Sequence, residues 1–153
     1  MSPNQFIETR ANELFQERQL NRYELTDRAF QTLLVIQWFA AILFSFVVSP
    51  NTWIGETSSV HFHNWLAIFG GGLLTIVPCW FARNYAGHAI TRHMIAISQM
   101  VWSALLIHLT GGRIETHFHV FGSLAFLAYY RDWKVLATAT LVVALDHAIR
   151  GIF

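Results

Sequence analysis

Imidazole and carboxylate groups crowd a few parts of this 153-residue chain. Residues 110–133 read TGGRIETHFHVFGSLAFLAYYRDW: a glycine turn, Arg113 and Glu115, then His117 and His119 at the mouth of an apolar run. His108 lies just before this stretch, Asp146-His147 one apolar segment after it, and His61-Phe62-His63 introduces an earlier apolar segment. Ionisable groups at the ends of apolar helices are costly unless something binds them. Imidazole suits zinc, copper, iron and nickel, and a chain with one cysteine, Cys79, offers no clustered thiol for a soft Cu(I) site.

The candidate ligands are therefore His63, His108, His117, His119 and His147. Glu115 and Asp146 are ligands too, or acceptors that fix the tautomer of a liganding histidine. Asp146 and His147 diverge by about 100° on a helix, so His147 is the better ligand and Asp146 orients it. Residues i and i+2 lie about 200° apart, so at most one histidine of each HFH triplet faces a bundle interior. His61 and His93 complete the set. His93 and His108 are separated by about 22 Å of helix, which puts them at opposite faces of a membrane.

Positioning such groups falls to long apolar helices. Hydrophobic residues make up 54% of the chain and charged residues 12%, against about 25% charged in a soluble domain. The class expected is an all-α integral membrane bundle of about five spans with an N-terminal amphipathic helix. Residues 1–28 are polar, with Ile7, Ala11, Leu14 and Phe15 on one helical face, and form a cytoplasmic juxtamembrane segment without evident chemistry. They contain no early apolar run of the kind a cleavable signal peptide needs.

The sensor bundle proper is then 29–153. Its spans are expected at 29–48, 64–82, about 88–110, about 115–130 and 135–149, each stopped by Pro, Gly or charged residues. Residues 51–60 form a loop with Trp53 as interfacial anchor and Glu56 as its charge. Gly70-Gly71-Gly72 lets another backbone approach, and Pro78 kinks the last turn of its span.

Basic residues set the expected orientation. Arg10, Arg18, Arg22, Arg28, Arg83, Arg92, Arg131 and Lys134 fall on one side, and only Arg113 and Arg150 on the other. The positive-inside rule puts the N-terminus in the cytoplasm of a multi-pass protein of a bacterial inner membrane. Six of the eight histidines then share the outer layer. His88 and His93 read as headgroup-level residues beside Arg92.

Other chemistries fit less well. Net charge is +1, which gives no nucleic-acid footprint. Neither HxxxH nor HxxHH arrays of membrane di-iron enzymes occur, nor a nucleophile triad, so this chain alone does not read as an enzyme. A b-type haem between facing spans, through His63 with His117 or His108 with His147, would make it an oxidoreductase or electron carrier. The same histidines without metal would serve as a pH sensor.

The segments Thr91 to His93 (TRH), Ser103 to Trp133 and Asp146 to Gly151 (DHAIRG) resemble the N-terminal membrane module of bacterial sensor histidine kinases and methyl-accepting chemotaxis receptors. The resemblance covers roughly Phe30 to Phe153. It implies a multi-span input domain that passes a signal to a cytoplasmic kinase, cyclase or chemoreceptor domain. Such modules continue into a further span and an output domain, so this chain is expected to be either cut short or a stand-alone version acting through a partner. The expected partners are the lipid bilayer, a cytoplasmic signalling domain or partner protein, and a second copy in a homodimer. The expected ligand is a transition metal ion (copper, iron or zinc), with haem as the alternative.

Overall fold

A computed structural model describes residues 3–48, 51–54, 57–60 and 62–152, with side chains described for 5–47 and 62–152. The first helix, α1, runs from Pro3 to Val48 without a break. The reason is local: no Gly or Pro occurs between Pro3 and Pro50, and proline suits the first helical turn. At 1.5 Å per residue this rod is about 69 Å long, more than twice a hydrocarbon core. The amphipathic segment and the first span expected separately are thus one element, and residues 5–18 are all exposed to varying degrees.

The segment expected as a loop pairs as a short antiparallel ribbon, β1 (Asn51–Ile54) with β2 (Thr57–Val60), in the register Asn51↔Val60 to Ile54↔Thr57. β-branched Thr52, Ile54, Thr57 and Val60 favour that extended geometry. The chain re-enters the bundle through α2 (Phe62–Trp65), a π-helical turn (Leu66–Gly70) and α3 (Gly71–Asn84), stacked as one rod. Then follow α4 (Ala89–Leu109), α5 (Ile114–Leu127) with a 3-10 turn at Ala128–Tyr130, and α6 (Trp133–Ile152).

Four stretches among the described residues are long and apolar enough to cross a membrane: Gln5–Val47, Phe62–Asn84, Ala89–Leu109 and Trp133–Ile152. α5 with its 3-10 turn reaches about 27 Å, just short of that length. The bundle is built around α4, which is 61% buried over its apolar window, against 11% for α6. Ile95, Ala96, Met100, Trp102 and Ile107 of α4 form its centre.

The glycine triplet does admit a close neighbour, but the neighbour is aromatic. A Cβ on Gly71 would lie 2.8 Å from Trp102 and 2.9 Å from Trp38, and one on Gly72 3.0 Å from Trp38. Trp38 also donates from Nε1 to the Ile68 carbonyl (3.1 Å), a backbone acceptor of the π-helical turn. Thr75 donates to Leu34 O (3.4 Å), which fastens α3 to α1 one further turn along.

Candidate functional site

Antiparallel helices sort the chemistry into two ends. The histidine end gathers the start of α2, the end of α4, the start of α5 and the end of α6. The arginine end gathers the α3–α4 and α5–α6 connections against the middle of α1.

At the histidine end two imidazole pairs form, each from two helices. The rings of His63 (α2) and His108 (α4) lie 5.3 Å apart, edge to face, and those of His117 (α5) and His147 (α6) 6.2 Å apart. His117 donates from Nδ1 to the Arg113 carbonyl and His147 from Nδ1 to the Val143 carbonyl, both at 3.0 Å. A ring that gives its Nδ1 proton to a backbone carbonyl keeps a lone pair on Nε2, the tautomer a metal ligand needs.

Asp146 lies 3.8 Å from His147 and accepts from Arg150 Nε at 3.0 Å through both oxygens. Arg150 also donates to Ala104 O of α4 (3.1 Å), so the end of α6 is tied to the helix that carries His108.

The seven sites expected together are only partly brought together. Among the described residues no group of three or more His, Cys, Asp or Glu side chains converges as a metal-binding set. Glu115 stands exposed in the first turn of α5. His61 lies outside the described residues, as do the side chains of Trp53 and Glu56. His93 is at the arginine end, where its Nδ1 meets Thr138 Oγ1 at 2.9 Å.

His119 turns away from His117 and into the bundle, as a two-residue offset on a helix requires. Its Nε2 accepts from the Gln37 amide of α1 (2.9 Å), and its Nδ1 gives a proton to Ser103 Oγ of α4 (2.8 Å) with Ser123 Oγ at 3.3 Å. Ser103 in turn donates to Gln99 O at 3.0 Å. Both ring nitrogens are therefore engaged, and His119 joins three helices where ligation had been expected of it. Gln99 beside it is fully buried with neither amide atom hydrogen-bonded.

The arginine end holds a polar knot that the residue pattern did not reveal. Asp27 of α1 is fully buried and accepts from Tyr130 Oη (2.6 Å) and from the Gly87 amide (2.7 Å). Arg92 donates to Gly87 O (3.0 Å), pairs with Asp132 (3.2 Å) and lies over the Tyr23 ring at 3.8 Å. Tyr130 stacks on Phe30. The knot locks α1, α4 and both connections into one unit. Its sequence signal was an acid and a tyrosine at the edge of an apolar run, hidden in a segment whose other charges are solvated.

No protein-family model matches the chain, and no solved structure does. Over 49 residues it is 39% identical to Transducer protein Htr8 of Halobacterium salinarum (strain ATCC 29341 / DSM 671 / R1). That match takes in 32% of this chain and 8% of the transducer, so the chain spans a small part of the relative it resembles.

Proposed function

We propose that this chain is a membrane-embedded sensory input bundle whose histidine end takes up a first-row transition metal ion. The observation that carries the reading is the pair of imidazole pairs, supplied by four helices at one end, two of the rings preset with a free Nε2. The likeness to a transducer supports the signalling half of it. A metal about 2.0–2.1 Å from one nitrogen of each ring sits roughly 3.2 Å from each ring centre. The 5.3 Å separation of His63 and His108 then subtends about 110° at the metal, near tetrahedral.

Two imidazoles leave such an ion half coordinated. Gathering both pairs onto one ion supplies four ligands and draws the starts of α2 and α5 toward the ends of α4 and α6. Only a ligand with different affinity for the separate and gathered arrangements can shift their balance, and a four-histidine site meets that condition. Because α4 also carries Arg92 of the knot, its movement reaches the far end, where the expected orientation places the cytoplasm and an output domain.

The test uses spin labels at Asn84→Cys and Lys134→Cys in a Cys79→Ser background, with zinc as a diamagnetic probe. The proposal expects the interlabel distance distribution to shift on zinc addition and to stay fixed in His147→Ala. An unshifted distribution in the unsubstituted histidine background overturns it.

A further inference from the structure

We infer that the arginine end carries a binding site for one anionic phospholipid, its phosphate held between Arg22 and Arg131 and one acyl chain laid along α1. The inference rests on the bundle lying in a bilayer and not on the metal.

A groove of about 440 Å³ runs along α1 beside the end of α5, lined by Leu25, Ala29, Phe30, Leu33, Phe126 and Tyr129, with Arg22 at its mouth. Its size falls in the usual range for small-molecule sites, about 300–1,000 Å³. A second, open depression of about 530 Å³ adjoins it, sharing Arg22 and Tyr129 and adding Arg131. The two together make an open groove, apolar along α1 and polar where Arg22 and Arg131 line it.

The charge is uncompensated. Among the described residues neither the Arg22 nor the Arg131 guanidinium has an ion-pair or hydrogen-bond partner, and two nearby acids are committed elsewhere. Asp27 is held by Tyr130 and Gly87, and Asp132 is paired with Arg92. Arg131 also adopts a left-handed backbone (φ 52°), which ends the 3-10 turn and places this cation at the cavity.

Length selects a lipid over a smaller anion. From Arg22 to Leu33 is about 16 Å of helix, close to half of a ~30 Å hydrocarbon core and so the depth of one leaflet. Basic pockets between helices at the membrane surface bind anionic headgroups in the same manner.

The experiment is native mass spectrometry of the full chain in detergent, stripped of lipid and titrated with phosphatidylglycerol or phosphatidylcholine of identical acyl chains. One saturable phosphatidylglycerol adduct per chain is expected, weakened roughly 30-fold in Arg22→Ala/Arg131→Ala. Ala29→Trp, which fills the groove and keeps both arginines, should remove it as well, with circular dichroism showing each variant still helical. Equal binding of the two lipids, or a double variant that binds as before, overturns the site. Displacement by inorganic phosphate at equal concentration reduces it to an anion site and overturns the acyl groove. A chain that stays dimeric and binds no lipid, but becomes monomeric in Ala29→Trp, assigns the groove to a second copy instead.

Discussion

At the scale of single residues, His117 and His119 show how two identical side chains take different work. One faces His147 with its Nε2 free; the other is consumed by Gln37 and Ser103. His119→Ala should therefore leave metal binding intact while lowering stability by about 1–3 kcal/mol, since it removes hydrogen bonds to the part-buried Gln37 of α1 and the buried Ser103 of α4. Thermal unfolding in detergent, with metal content measured on the same sample, checks both halves. Tyr130→Phe should cost about 1.5–3 kcal/mol, because it takes away a 2.6 Å hydrogen bond to a buried carboxylate and little else. Residue types and their offsets were legible at this scale: the helical angle between His117 and His119 follows from spacing alone. Asp27 was not. Nothing local distinguishes an acid that will be buried against Tyr130 from the solvated Glu13 or Glu17, because the difference lies in a partner 103 positions away.

At the scale of elements, apolar runs located every long helix from α2 onward to within a few residues, since hydrophobic length is a local property. The continuity of α1 was legible in principle from the missing helix breakers. Its division at residue 28 followed the change of polarity, to which a helix backbone is indifferent. The ribbon at residues 51–60 is too short for alternation to announce it. The glycine triplet marked a close contact correctly but not its partner, which depends on how α1 and α4 face α3. Gly71→Ala should accordingly destabilise by about 1–3 kcal/mol, as its methyl meets two stiff indoles. Gly122→Ala, with nothing within 4 Å of the added carbon, should be neutral or slightly stabilising. Midpoints of denaturation for the two variants, measured side by side, decide the point.

At the scale of the whole molecule, the bundle places two imidazole pairs at one end, a network joining loops at the other, and α4 between them. Parity of antiparallel helices made the histidine layer legible, because it requires only a count of spans. Convergence to a single cluster was not legible: a shared depth in the membrane leaves the distance around the bundle open, and the structure separates the histidines into pairs. The central claim is that these pairs hold a metal. The measurement that tests it most directly is elemental analysis by plasma mass spectrometry of detergent-purified protein that has never met a nickel column. The account predicts near-stoichiometric first-row metal, kept in His119→Ala and lost in His108→Ala and His147→Ala. A blank that persists after incubation with zinc, copper and iron contradicts it.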